Sequence, residues 1–273
     1  MMINNSTRIG LTSQLGSVNK NLAKILEKLS TGRRINSAAD DAAGLAVAEQ
    51  LMTQVRGFKQ ASNNTEYATA ALQIGEGAAN EVSDMLQRQR ELAVQASNDT
   101  LTNQQRTGLN KEYQALSQEI TRISNTSQFN TQGTANGTGV ATGTAKVMVG
   151  ANPGDEVTLP SANYTANAIG VGGTDIATAA NARNALSSID TAISNVNATR
   201  STAGATMNRL EHTYNNLQNQ YTNTQAAESV IRDMDYAQGT AEFVRQGILS
   251  QSSTMALKNF NQIYSQNLMA LLK

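Results

Sequence analysis

The chain has 273 residues and carries 21 basic and 21 acidic side chains, so its formal net charge is zero. That balance argues against electrostatic capture by nucleic acid or by an anionic membrane surface. Cysteine and tryptophan are absent, with four Phe and seven Tyr, which excludes disulfides and thiolate metal sites and argues against a broad aromatic core.

The first helix is expected over about residues 3–31. Leu11, Leu15, Val18, Leu22, Ile25 and Leu29 recur in alternating steps of three and four, which places them on one helical face. Gly32 stands where a C′ glycine would end this helix, and Arg33 and Arg34 suit the negative end of its dipole. After Ile35-Asn36, the stretch Ser37-Ala-Ala-Asp40 has the S-x-x-D pattern of a capping box, and Asp40 and Asp41 favour a helix N-terminus.

A second helix follows from about 41 to 97. Leu51, Val55, Phe58, Ser62, Thr65, Thr69 and Leu72 keep the same spacing, and Ala79, Val82, Leu86, Ala93 and Ala96 continue it. Gly75 and Gly77 weaken it locally, by about 1 kcal/mol each relative to Ala. Asn98-Asp99-Thr100 marks a break, after which Leu109, Tyr113, Leu116, Ile120 and Ile123 predict a third helix over about 104–126.

From 130 to about 175 the character changes: Gly, Thr, Asn and Ala crowd together and both prolines occur. Ala145–Val149 and Glu156–Leu159 read as short strands, and Asn152-Pro153-Gly154-Asp155 between them fits a type II turn. This insertion is too poor in apolar residues to fold alone.

The fourth helix holds one heptad phase from Leu186 through Ile189, Ile193, Val196, Arg200, Ala203, Met207, Leu210, Tyr214 and Leu217 to Ile231. About 50 residues at 1.5 Å each would span about 75 Å. Asp233-Met-Asp235-Tyr236 then precedes a C-terminal helix over about 239–271, whose stripe runs through Leu249, Ala256, Phe260, Ile263, Asn267 and Ala270. Leu257, Tyr264, Leu268 and Leu271 widen it.

The fold class implied is mainly α, a long antiparallel helical bundle or coiled coil with a small β-hairpin insertion and both termini paired as helices. A hairpin of two terminal helices buries only one face of each. That is little return against the roughly 1–2 kcal/mol of backbone entropy each ordered residue costs. The ends are therefore expected to order on assembly with copies of the same chain. The alternative is that both segments pack on the long helices of one molecule.

Chemistry was sought along the same chain. His212 is the single histidine and belongs to no nucleophile–base–acid set. No HExxH motif or P-loop occurs, and the Gly-rich stretches at 133–143 and 170–173 are not followed by Lys-Ser or Lys-Thr. Asp233 and Asp235 read as loop caps rather than cation ligands. No catalytic, cofactor-binding or metal residue is assigned. No apolar run approaches the length needed to span a bilayer, and MMINNSTRIG lacks the pattern of a cleaved secretion signal.

The run Leu29-Ser-Thr-Gly-Arg-Arg-Ile-Asn-Ser-Ala-Ala-Asp-Asp-Ala-Ala-Gly-Leu-Ala-Val-Ala-Glu49 resembles the N-terminal signature of bacterial flagellins. The resemblance continues through Gln87-Arg-Gln-Arg-Glu-Leu-Ala-Val-Gln95 and Ser127-Gln-Phe-Asn130. It resumes at Ala203-Gly-Ala-Thr-Met-Asn-Arg-Leu210 and Glu228-Ser-Val-Ile-Arg-Asp-Met-Asp-Tyr236, and ends with Ser265-Gln-Asn-Leu-Met-Ala-Leu-Leu272. It covers nearly the whole chain outside about 130–180.

The resemblance implies a self-polymerising subunit of the flagellar filament, with two domains each built from both halves of the chain. Residues 1–40 and 239–273 would form an inner domain in the filament core, and 41–238, including the insertion at 130–180, an outer one. Leu11, Leu15, Val18, Leu22, Ile25, Leu29, Leu257, Phe260, Tyr264, Leu268 and Leu271 would then be the self-assembly seams. It also implies unfolded export through the flagellar type III system, a cytoplasmic export chaperone, a filament cap, hook–filament junction proteins and an extracellular flagellum, with a periplasmic filament left open. The family's segment read by the flagellin-sensing Toll-like receptor maps onto Arg88, Leu92 and Glu112, with Leu86, Gln87, Arg90 and Gln95 around them. These positions also lie where subunits meet. The competing readings are a hook–filament junction protein and a secreted adhesive or receptor-binding stalk.

Overall fold

In the computed structural model the backbone of residues 2–271 is described, together with the side chains of residues 6–266 and 269. Five helices carry the fold: α1 (Met2–Thr31), α2 (Ala42–Ala96), α3 (Asn103–Thr126), α4 (Ala179–Arg232) and α5 (Tyr236–Leu271). Between α3 and α4 lie two short antiparallel hairpins, β1 (Gln128–Phe129) with β2 (Gln132–Gly133), and β3 (Lys146–Met148) with β4 (Glu156–Thr158). The chain divides into two compact units, Met1–Thr53 with Asn223–Lys273, and Gln54–Thr222. The divisions fall inside α2, after Thr53, and inside α4, before Asn223. In the first unit the start of α2 and the end of α4 meet, Arg232 reaching Glu49 at 3.2 Å, and Ile35 and Ala48 are buried.

In the first unit α1 and α5 lie side by side and antiparallel. Tyr236 meets Leu29 at one end and Ser250 meets Asn19 further along. Gly32 ends α1 with φ +69°, the left-handed conformation that its lack of a Cβ permits. The chain then pairs back on the α4–α5 link: the Arg34 amide donates to the Arg232 carbonyl at 2.7 Å and the Met234 amide to the Gly32 carbonyl at 2.9 Å.

The start of α2 is capped differently from the expected box. The Asp41 carboxylate accepts from the Gly44 amide at 2.9 Å, so Asp41 is the capping residue. Asp40 turns backwards, its carboxylate accepting from the amides of Asn36 and Ser37, both at 3.2 Å, while Lys28 lies 3.6 Å away. The Asn36 hydrogen bond, assisted by that of Ser37 and by Lys28, holds the Asp40 carboxyl below the usual carboxylate range.

In the second unit α2, α3 and α4 share a core whose small alanines let the helices approach closely. Ala79, Val82, Leu86, Leu92 and Ala93 from α2 meet Tyr113 and Ile120 from α3, and Ala185, Ile189, Ala192 and Val196 from α4. Ile169, Val171 and Ile176 of the preceding loop close one side. A smaller cluster puts Val157 and Leu159 of the β4 segment against Ala68 and Leu210, with Val147 of β3 at its edge. The buried Arg106 secures the turn between α2 and α3. Its guanidinium donates to the carbonyls of Ala96 and Asn98 and to Asn103 Oδ1, each at 2.9 Å, and the Ala96 carbonyl is one that the end of α2 leaves open.

Candidate self-assembly surface

On α1 the residues turned toward α5 are those of the heptad series: Val18 is buried, and Leu11, Leu15, Leu22, Ile25 and Leu29 are half-buried. On α5 the half-buried residues facing α1 are Phe243, Gln246, Ser250, Ser253, Leu257 and Phe260, again in steps of three and four. Leu257 and Phe260 therefore sit on the pairing face. Tyr264, one turn beyond Phe260 on the same face, is exposed, and so are Leu249, Ala256 and Ile263, so within one subunit only part of the expected α5 stripe meets α1. The side chains of Leu268 and Leu271 lie outside the described residues.

The α5 register has a polar cause. Ser250 Oγ donates to Asn19 Oδ1 at 3.1 Å, and Gln246 Nε2 donates to Glu242 Oε1 at 2.9 Å beside the seam. These small and polar residues occupy the centre of the pairing face. Four other large apolar side chains are left outside: Val244, Ile248 (61% exposed), Met255 (66% exposed) and Met269. At about 100° per residue these four fall within an arc of about 60°, nearly opposite the face that meets α1. Gln251, Gln262 and Gln266 share that arc, so the outward face of α5 carries large apolar side chains separated by glutamines.

The segment on α2 is arranged for a different purpose. Leu86 and Leu92 are buried in the helical core, because α2 turns that face toward α3 and α4, and they present no surface to a receptor or a neighbouring subunit. Gln87, Arg88, Arg90 and Gln95 are exposed, as is Glu112 of α3. Arg88 bridges the two helices, reaching Glu112 at 2.8 Å and Glu91 at 2.9 Å. The hydrogen bond to Glu112, then that to Glu91, holds its guanidinium above its ordinary pKa. Arg90 reaches across to Asp190 of α4 at 2.7 Å.

Gln89, between these arginines, is fully buried and donates to the Tyr113 carbonyl at 3.1 Å and to Ser117 Oγ at 2.7 Å. It tethers α3 to α2 through a polar link where an apolar side chain would be read from the pattern. Of the acidic residues weighed as cation ligands, Asp235 accepts from the amide of Ala237 at 2.8 Å and Asp233 from Ser229 Oγ at 2.6 Å. His212 is exposed on α4.

Two family models match the chain: the bacterial flagellin N-terminal helical region over residues 3–138, and the bacterial flagellin C-terminal helical region over residues 186–272. The chain is 43% identical over 241 residues to a flagellin of Halalkalibacterium halodurans, covering 88% of each. It is 37% identical over 272 residues to the flagellar filament 31.3 kDa core protein of Treponema maltophilum, covering 95% of each. Among solved structures it resembles Bacillus cereus flagellin, with a TM-score of 0.51 and 33% identity over 61% of this chain and 94% of that one. A putative flagellar hook-associated protein from Vibrio parahaemolyticus shares the fold, with a TM-score of 0.57 at 19% identity over 71% of this chain and 99% of that one.

Proposed function

The chain belongs to the bacterial flagellin family and is a structural subunit of the flagellar filament, and we propose that it polymerises through the terminal helices of its first unit. The observation that carries this is the outward apolar stripe of α5, Val244, Ile248, Met255 and Met269. Burial of such side chains against copies of the same chain would stabilise each contact by about 1.5–3 kcal/mol per residue. The α1 series from Leu11 to Leu29, with Leu257 and Phe260, pairs the two helices within a subunit. The outward residues then meet the neighbours, while Tyr264 continues the line of Leu257 and Phe260 on the pairing face. In this reading residues 1–40 and 239–273 form the inner layer of the filament and 41–238 the outer layer.

The role is structural rather than catalytic. The subunit leaves the cell unfolded through the flagellar type III channel, with a cytoplasmic chaperone shielding the α5 stripe beforehand, and folds beneath a cap at the tip of an external filament that joins the hook through junction proteins. A host Toll-like receptor would reach Gln87, Arg88, Arg90, Gln95 and Glu112 and leave Leu86 and Leu92 to the core. Purified chain added to short filament seeds should elongate them, and a chain lacking residues 1–32 should not. Filaments formed by the shortened chain would overturn the proposal.

A further inference from the structure

We propose that the second unit binds a single structural water molecule between Glu76 of α2 and Tyr164 of the insertion, and that this water joins the insertion to the ion pair linking α2 and α4. A cavity of about 20 Å³ lies there, its walls including Glu76, Thr134, Ala141, Leu159, Tyr164 and Ala203. That is room for one water molecule. Ala141, Leu159, Tyr164 and Ala203 are buried, so little of the site meets bulk solvent.

Two polar groups reach this cavity without reaching each other. Glu76 Oε1 accepts from Arg200 Nε at 3.0 Å and from Arg200 Nη2 at 2.8 Å. The other carboxylate oxygen, Oε2, is buried and has no hydrogen-bond partner, so the Tyr164 hydroxyl does not donate to it directly. Tyr164 is 3% exposed, and its phenol lies within the fields of both Glu76 and Arg200. Burial, then the Glu76 charge, pushes that phenol up to about 12, so it keeps its hydrogen at neutral pH. An orphaned acceptor and a protonated phenol on one cavity are the two partners a bridging water needs: it accepts from the phenol and donates to Oε2. Arg200 already balances the Glu76 charge, so a neutral ligand fits, whereas a cation would bury a charge in excess. Gly75 permits the arrangement. The Thr134 carbonyl oxygen lies 3.0 Å from where a Cβ at position 75 would stand, so the insertion comes this close to α2 beside a residue that has none.

The test uses the full-length free subunit and therefore does not depend on assembly. Magnetic relaxation dispersion of water ¹⁷O counts the waters held for longer than the subunit takes to tumble. Tyr164→Phe and Glu76→Met each remove one of the two partners and keep most of the side-chain volume, and each should lower the count by one. In urea titrations Tyr164→Phe should raise the unfolding equilibrium constant about fivefold in the parent and less than about twofold in Glu76→Met, where the water is already gone. An unchanged count in Tyr164→Phe would overturn the inference, and so would equal effects of Tyr164→Phe in the two backgrounds. Stability that changes when sodium is exchanged for potassium at fixed ionic strength would assign the site to a cation and overturn it too. If the Glu76→Met chain fails to fold, the count in Tyr164→Phe decides alone.

Discussion

Tyr236, the first residue of α5, donates its phenol hydrogen to the Leu29 carbonyl at 2.7 Å, across 207 positions of sequence. That carbonyl belongs to the last turn of α1, where the helix leaves acceptors open, so the aromatic side chain caps one terminal helix with the beginning of the other. With the Arg34–Arg232 and Met234–Gly32 backbone bonds, it ties the two ends of the chain together at the base of their paired helices.

Replacing Tyr236 by Phe keeps the ring and removes the donor. The α1–α5 pair should lose about 1 kcal/mol. Chemical denaturation followed by circular dichroism checks this, and an unchanged midpoint would show that water replaces the phenol without cost.

Arg106 caps the end of α2 from the other side of a turn, with three hydrogen bonds from one buried guanidinium. Arg106→Ala strands the acceptors, and the second unit should be destabilised by about 2–4 kcal/mol. Arg106→Lys should recover only part of this, because a single ammonium does not reproduce the fork. Equal stability of the Lys variant and the parent would contradict the planar-cap reading.

Burial, assisted by the charge of Glu76, pushes the Tyr164 phenol up to about 12. A pKa raised in the folded state means that folding favours the protonated phenol. The stabilisation is complete below the unfolded value near 10 and is lost as pH rises from about 10 toward 12. The stability of the second unit should fall over that window less steeply in Tyr164→Phe than in the parent. Identical slopes in urea titrations would sink the assignment.

The loop of the β1–β2 hairpin carries Asn130 at φ +48° and Thr131 at φ +64°. Asn tolerates that region, but a β-branched Thr does so at a cost. Thr131→Gly relieves it and supplies the Asn-Gly pair that two-residue hairpin loops favour. A gain of about 0.5–1 kcal/mol is expected, to be measured as a rise in Tm.

The same Thr131 explains why this hairpin was not legible in the sequence: strands of two residues joined by Asn-Thr lack both the alternation and the turn signal. The five helices were legible because their apolar spacing persists over several turns and glycine or aspartate stands at the breaks. The α1 seam was readable for the same reason. The α5 seam was legible only in part: Leu257 and Phe260 face α1, but Leu249, Ala256 and Ile263 are exposed, and Gln246, Ser250 and Ser253, which no apolar spacing marks, share the pairing face. Leu86 and Leu92 looked available from their motif alone; only the position of α3 and α4 against that face of α2 removes them from the surface.

The central claim is that the outward stripe of α5 holds the filament together. The most direct measurement is seeded elongation by a Val244→Asp, Ile248→Asp chain, compared with its circular dichroism as a free subunit. Both positions point away from α1, so helix content and the melting curve should match the parent while elongation is lost. Elongation at the parental rate by a normally folded double variant would contradict the account.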